Sequence, residues 1–499
     1  MSTIRQGVEQ LPNRQRDLRI SPDTVQKRLQ HIAKQIGTRP AGTEAEHQAA
    51  QYMASQMEKY GLNVQIETFP CRVWSFEQAQ LQVSINGKWR ESACHPIAYT
   101  PPTPEEGIEA PMVYLGTGSE MDLSGKDLKG KIGFIFGLGG DEPGTLKRLC
   151  SSGLAALIFV DERLPMPWVV HAGTAAGWID LLTIPAATVA YTEAWEIARM
   201  REPMARLFLR TSSGEANSQN VVASFGAQDD TLPPLVVTCH HDSVSLGEGA
   251  EDNGSGMAVM LAVAEALGQG TPPRPVKMVS CGWEEALSEG ARHYVASNID
   301  RAARTALVIN IDSVGSWIGR DIVNVVGSES LRDWTNKRLR ETGYAADVNI
   351  EVSPYSDMFP FNLVRVPSLW FYRSNLGATR YYHHSAEDTL DKISFDALAH
   401  TASAVANMVW HMGGATQLPF EGGIPQEQWE RVEYYRGRLL DSICDWRTRG
   451  LMRPGRHGNG DRRRHAEPEQ REAQAAPEPS PPETAEHGDQ QHEQHEHPG

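Results

Sequence analysis

A chain of 499 residues is longer than one hydrophobic core usually organises, which points to two or three structural units and room for a sizeable buried site. Hydrophobic residues make up 40 % of it and its formal charge is −16, so the body reads as globular, and with no basic stripe to displace phosphate counterions a nucleic-acid partner is excluded. No stretch is apolar for long enough to span a bilayer, and the opening MSTIRQGVEQLPNRQRDLRISP lacks an apolar h-region, so the expectation is a cytoplasmic protein without membrane contact. Cys71, Cys94, Cys150, Cys239, Cys281 and Cys444 are too scattered for a disulfide scaffold; Cys239 and Cys281 fall just inside apolar runs and read as small buried strand residues.

The first elements are helical. Val25, Leu29, Ile32 and Ile36 recur at helical spacing and stop at Gly37. A second helix opens with a capping-box pattern, Thr43 with Glu46, carries Ala49, Met53, Met57 and Tyr60 on one face, and ends at Gly61. The strand NVQIETF follows, then QLQVSINGKW, whose Leu81, Val83 and Ile85 alternate up to the hairpin signal Asn86-Gly87. Beyond the linker-like TPPTPEEG come short strands and small helices, APMVYLG, GKIGFIFG, TLKRLCSSGLA, ALIFVDE, IPAATVA and ARLFLRTSS, which read as a separate module. The main pattern resumes with QNVVASFG, LVVTCH, a helix from Gly254 to Leu267, VKMVSCG, TALVINID, IVNVVG, a helix through LRDWTNKRLRE, SLWFY and a last long helix from Ser394 to about Met412. Strands alternating with helices imply a mixed α/β sheet, parallel at its centre and sandwiched by helices. A further helix is expected in 416–452. The tail 453–499, with six of the 17 histidines and no apolar residue beyond alanine and proline, is expected to be disordered.

In an open α/β sheet ligands collect beyond the C-terminal ends of the strands. After LVVTC stand His240, His241 and Asp242, and ten residues past Asp242 a glycine-rich turn delivers Asp252 at a helix start. After VKMVSCGW come Glu284 and Glu285, after TALVINI comes Asp312, and between SLWFY and the last helix stand His383 and His384. Singly, each has a bland reading: adjacent glutamates as a solvated face, Asp-Asn-Gly as a turn, His-His as a helix-capping region. Together they place imidazoles and carboxylates at successive strand ends, a donor set suited to zinc with a coordination position left for water.

The count decides between one metal and two. His240, Asp252, Glu285, Asp312 and His384 are too many ligands for one catalytic zinc and the right number for two zincs sharing a bridging carboxylate, with Asp252 the natural bridge. Three carboxylates and a shared hydroxide also balance two dications in a partly buried pocket. Asp242, two residues after His240 on extended chain, is placed to accept from the imidazole nitrogen that does not face the metal. Of the adjacent Glu284 and Glu285, one can bind metal while the other moves a proton.

These motifs, HHDSV, GAEDNGSG, GWEEALSEGARHYV, NIDSVG, SDMFPF and HHSAEDTLDKI, resemble the co-catalytic di-zinc exopeptidase family that includes bacterial leucine aminopeptidases, aminopeptidase Y and glutamate carboxypeptidase II, over roughly 20–100 and 216–415. The resemblance implies the zinc exopeptidase fold and two zincs. His240 and Asp312 would hold one zinc, Glu285 and His384 the other, with Asp252 between them; Glu284 falls at the general base and Asp242 at the histidine-orienting carboxylate. It also implies that 106–215, with DLSGKDLKGKIGFIFG and KRLCSSGLAALIFV, is an inserted, mainly β, protease-associated domain that lids or shapes the site. The units expected are thus 20–105 and 216–415 for the peptidase, 106–215 for the insert, 416–452 for a helical extension and 453–499 for the tail.

The chain departs from the family's pattern in places. Asp357 is followed by Met358 where relatives carry a histidine, Trp283 stands where a small residue is common, and His383 occupies the position of a tyrosine that helps stabilise the oxyanion, with Tyr382 one residue back. Asp357, Tyr382 and His383 are therefore the candidate substrate or oxyanion residues. The function implied is hydrolysis of N-terminal residues from peptides through a metal-bridged hydroxide with a glutamate base. A carboxypeptidase or amidohydrolase on the same di-zinc site, and a non-catalytic receptor-like homologue, are the alternatives.

Overall fold

Four buried, largely apolar runs form the parallel centre of one large sheet. Leu235–His240 lies between Val276–Cys281 and Leu307–Ile311, parallel to both, and Leu307–Ile311 runs parallel to Ser368–Ser374. Their side chains are almost all buried, as expected where helices cover both faces. The computed structural model describes residues 18–137, 142–161, 166–200, 202–227, 231–268, 270–375 and 381–441. The expected tail with its histidines, and Cys444, lie outside the described residues.

The sheet turns mixed at its flanks. Arg320–Val326 pairs antiparallel with Ser368–Ser374 and parallel with Asp347–Ile350, and Met204–Phe225 pairs antiparallel with Val276–Cys281. Gly256–Leu267 packs within the main core among Val237, Ile309 and the helix Phe395–Gly414. Most of its side chains are buried, which fits a helix apolar all round. No described helix is long and apolar enough to cross a membrane.

Two strands differ from the sequence reading. NVQIETF and the QLQVSI ahead of the turn are one strand, Asn63–Ile85, and ARLFLRTSS and QNVVASFG are also one, Met204–Phe225. The two pair antiparallel from Asn63↔Ser224 to Val83↔Ala205, with an irregularity between Phe76 and Gln78. Pro70 and the polar run Ser212–Gln219 break the hydrophobic alternation, so the sequence shows two strands where the backbone ladder continues as one. The Asn86-Gly87 turn is as expected, with φ of 52° and 76° and Ile85 opposite Lys88.

The ribbon carries the chain out to a second set of strands. Ile108–Tyr114, Ile132–Phe136, Ala156–Val160 and Ala186–Val189 run parallel in succession, with the helices Glu142–Cys150 and Tyr191–Ala198 and apolar clusters of their own. The capping box resolves differently from expectation. Thr43 accepts from the Glu46 N–H, but the Glu46 carboxylate takes the Gly42 N–H (2.6 Å) and the Ser218 hydroxyl rather than the cap's own N–H. The helix near the C-terminus is Gln426–Arg436, seated through Val432.

Candidate active site

The C-terminal ends of the four parallel strands deliver the expected residues to one place. His240 closes its strand, Asp312 follows Ile311 directly, and Glu284 and Glu285 lie in a turn three residues past Cys281. Asp252 arrives on the Ala250–Ser255 turn, which Asn253 stitches to the neighbouring strand end. The Asn253 side-chain N–H donates to the Ile311 carbonyl (2.9 Å), and its Oδ1 accepts from the Gly256 (2.8 Å) and Ser313 (3.2 Å) N–H groups. That approach explains a glycine at 256, where a Cβ would fall 2.3 Å from Asn253 Oδ1 and 2.5 Å from the Ile311 carbonyl. Asp388 holds the same turn from the other side, accepting from the Glu251 (2.7 Å) and Asp252 (3.0 Å) N–H groups.

Asp252 belongs to two clusters of metal-ligating atoms. One joins it to His240 and Asp312, the other to His383 and His384. In the first, His240 Nε2 lies 3.2 Å from Asp252 Oδ1 and 3.8 Å from Asp312 Oδ1. In the second, His384 Nε2 lies 3.0 Å from Glu285 Oε2 and 3.5 Å from Asp252 Oδ2, while His383 Nδ1 lies 2.7 Å from Asp252 Oδ2. The two imidazoles stack with centroids 3.6 Å apart. His384 thus reaches two carboxylates, and His383 meets Asp252 beside it.

Asp242 is placed slightly differently from expectation. His240 Nδ1 has the main-chain carbonyl of Asp242 at 3.2 Å and its carboxylate at 3.5 Å, so the residue fixes the tautomer chiefly through its backbone and leaves Nε2 for a metal. The carboxylate accepts instead from the Glu284 (3.0 Å) and Glu285 (3.2 Å) N–H groups. That grip sets the direction of the turn: Glu285 meets His384, while Glu284 has one oxygen 4.0 Å from His240 Nε2 and the other accepting the Ser288 hydroxyl at 3.0 Å.

The electrostatics fit divalent cations. Burial pushes the Glu284 and Glu285 carboxyls well above the usual range, opposed by His240 and reinforced by Asp357 at Glu284 and Asp252 at Glu285. Burial works against charge on His240, yet Glu284, Asp242, Asp252 and Asp312 hold its imidazole well above the ordinary value. Burial together with neighbouring negative charge raises the carboxyls, negative charge alone raises the imidazole, and a bound dication would reverse the carboxyl shifts. His240 Nε2 and Glu285 Oε1 are also buried without a hydrogen-bond partner, as free donor atoms for metal would be.

The remaining candidates separate. Asp357 is 0 % exposed, with burial pushing its carboxyl up to about 7 against the opposing charge of His240. The Tyr382 ring stacks on Trp168 at 6.2 Å. Trp283 lies in a buried cluster with Phe69, Trp74 and Tyr99, its indole N–H donating to the Tyr99 hydroxyl at 2.9 Å, so it packs the interior rather than a substrate pocket. His241 is not brought to the cluster: its Nδ1 pairs with the Ser280 hydroxyl at 3.0 Å, and burial lowers its pKa to about 4.

Several supporting residues escaped the sequence reading. The Ser356 hydroxyl donates to Asp312 Oδ2 (2.7 Å) and is itself held by Asn310, which is held by Thr238. Arg39, 0 % exposed, donates to the carbonyls of Gly37, His241, Glu248 and Gly249 and so frames the two loops that bear His240 and Asp252. Its signal was an arginine ahead of a proline in GTRPAG, which nothing nearby marks as a partner of residues some 200 positions on.

Carboxylates and imidazoles from separate strand ends around one shared aspartate, with a glutamate left over beside them, define a metal-dependent hydrolase on an α/β sheet. The model of Peptidase family M28 matches residues 220–409, a span holding all of these residues. The chain is 26 % identical over 409 residues to aminopeptidase YwaD of Bacillus subtilis (strain 168), covering 80 % of this chain and 87 % of that one. It is 25 % identical over 308 residues to carboxypeptidase Q of Xenopus laevis, covering 57 % and 64 %. In fold it resembles the aminopeptidase from Aneurinibacillus sp. strain AM-1, with a TM-score of 0.66 at 23 % identity over 80 % of this chain and 95 % of that one.

Proposed function

We propose that the chain is a di-zinc aminopeptidase that hydrolyses N-terminal residues from peptides. The observation that carries this reading is the position of Asp252, shared between a His240–Asp312 cluster and a His384 cluster that also meets Glu285, with Glu284 beside them. His240, Asp252 and Asp312 would hold one zinc, and Asp252, Glu285 and His384 the other. Bound there, the two ions supply Lewis acidity for the scissile carbonyl and lower the pKa of water. Support comes from the family and from relatives named as aminopeptidases, one of them described as a zinc aminopeptidase from Bacillus subtilis.

The chain's own residues then divide the work. Glu284 takes the proton of the attacking water on its free carboxylate oxygen and returns it to the leaving amine, while Ser288 steadies its other oxygen. Asp242 holds both glutamates in their divergent directions through their N–H groups. Asp388, Asn253 and Arg39 fix the loops, so none of these carboxylates has to be reorganised as the reaction proceeds.

A free amine, not a terminal carboxylate, is the substrate end this site suits. Among the described residues, Arg39 is the guanidinium placed in the field of Asp242, Asp252 and Glu285, and its donors are taken by four main-chain carbonyls, so it offers no bidentate clamp for a carboxylate. The division into a peptidase part, 20–105 and 216–415, and a protease-associated-like insert, 106–215, belongs to the same reading; Leu81 and Val83 of the first part pack into a cluster of the insert, and Ile179 of the insert packs with Phe69 and Trp283. The test is metal analysis of the purified protein together with hydrolysis of leucyl anilide and its N-acetylated counterpart. Two zincs per chain and cleavage of the free-amine substrate are expected; equal rates on the blocked substrate would refute the aminopeptidase direction.

A further inference from the structure

The segment Met166–Gly173 lies between the strands Ala156–Val160 and Ala186–Val189, yet it reaches the loops that bear two of the metal-ligating residues. The His171 N–H donates to the His384 carbonyl at 2.6 Å, and Val170 forms an antiparallel bridge with Ser385. Trp168 packs edge-on against Tyr381 at 5.0 Å and face-on against Tyr382 at 6.2 Å, just ahead of the histidine pair. On the other ligand, Gly173 runs so close to the Glu285 turn that a Cβ there would lie 3.0 Å from the Glu285 carbonyl.

The segment is itself anchored. The Thr188 hydroxyl donates to the Val170 carbonyl at 2.8 Å, the Ala98 N–H donates to the Ala172 carbonyl at 3.1 Å, and the Thr174 hydroxyl donates to the Ala98 carbonyl at 2.8 Å. His384 needs such a hold because it sits at φ 56°, in the left-handed region that a non-glycine residue adopts only under constraint. The segment's contacts with metal-ligating residues fall on His384 and Glu285, with a further contact from the His171 ring to the Ser245 hydroxyl at 3.2 Å, whereas His240 and Asp312 themselves are braced by Asp242 and Ser356 from the ends of the peptidase sheet.

We infer that Met166–Gly173 is a positioning strut that sets the affinity of one metal only, the ion held by Glu285, Asp252 and His384. Its role thereby goes beyond covering the site. The inference rests on the two-zinc reading above. The indole of Trp168 and the absent side chain of Gly173 act on the metal through the ligand loops and touch neither ion nor substrate.

The experiment titrates zinc into the metal-free full chain against a chromogenic chelator and follows cobalt absorption as a second signal of each site's geometry. The wild type should take up two ions. Trp168→Ala and Gly173→Val should keep one tight ion and bind the second about 10-fold to 100-fold more weakly, the range typical when a support behind a metal ligand is removed. Trp168→Phe, which keeps a ring against the tyrosines, should restore the second ion. Circular dichroism and thermal melting identify a variant that has not folded, and Gly173→Ala is then the milder probe of the same contact. A second ion bound as tightly by the folded variants as by wild type overturns the strut, as does parallel weakening of both ions. A wild type that takes up fewer than two ions overturns the two-zinc reading and the strut with it.

Discussion

The two halves of the metal centre are built from different materials. His240 ends a buried parallel strand and Asp312 follows one directly, so their places are set by the sheet. Glu285 and His384 sit in turns, among Trp283, Leu287, Ser288 and His384 at φ between 52° and 78°, and their places are set by contacts from elsewhere: Asp242 under one and the Met166–Gly173 segment over the other. A sheet is rigid through its ladder of backbone hydrogen bonds, whereas a turn in the left-handed region is only as fixed as its neighbours make it. One half is therefore pre-formed by the core, and the other depends on a remote segment.

The sharpest way to break this comparison starts with the residue that belongs to neither half. Glu284→Gln keeps size and the Ser288 contact but cannot accept a proton, so turnover should fall by ~10²-fold to 10⁴-fold with both zincs retained. Glu285→Gln should instead loosen one zinc, and excess zinc should recover part of its activity. Metal analysis paired with kcat at saturating zinc reads both variants; loss of metal from the first and not the second would exchange the two roles.

Next comes the histidine pair within the turn-built half. His384→Ala should cost one equivalent of zinc because His384 contacts both Glu285 and Asp252. His383→Ala should keep two equivalents, since the contact to Glu285 is made by its neighbour His384. Equal metal loss from both variants would show that the stacked rings share the ligand role.

What the sequence made legible follows the same division. His240, Asp252, Asp312 and the glutamate pair could be read because an apolar run followed by an acid or imidazole marks a strand end, and strand ends of a parallel sheet converge. The choice between His383 and His384 could not be read from local pattern, because it depends on which ring turns towards Glu285 and on a left-handed backbone held by His171. Arg39, Ser356 and Asp388 were missed as partners for a related reason: each acts on a segment far away in the chain, and neither charge nor periodicity marks such a pairing. The two long strands were split at Pro70 and at polar residues near 212–219, where pairing between partners supplied the continuity that side-chain alternation lacked.

The smallest expected effect completes the comparison from the sheet side. Ser356 donates to Asp312 Oδ2 at 2.7 Å and accepts from the Asn310 side chain at 2.7 Å, so it serves the strand-built half as Trp168 and Gly173 serve the turn-built one. Ser356→Ala removes both bonds at a buried position. It should destabilise the fold by about 1–3 kcal/mol, the cost of leaving buried polar groups unpaired. It should also weaken the His240–Asp252–Asp312 zinc by ~10-fold, the low end of the range for such supports, because Asp312 stays fixed by its strand and by the Ser313 hydroxyl at 3.0 Å. The Glu285–His384 zinc should be changed less, which makes this variant the mirror of Trp168→Ala. Zinc titration of both variants side by side decides it. If Ser356→Ala weakens the same ion as Trp168→Ala, the two halves are one coupled unit through Asp252, and the division between a sheet-built and a braced half does not hold.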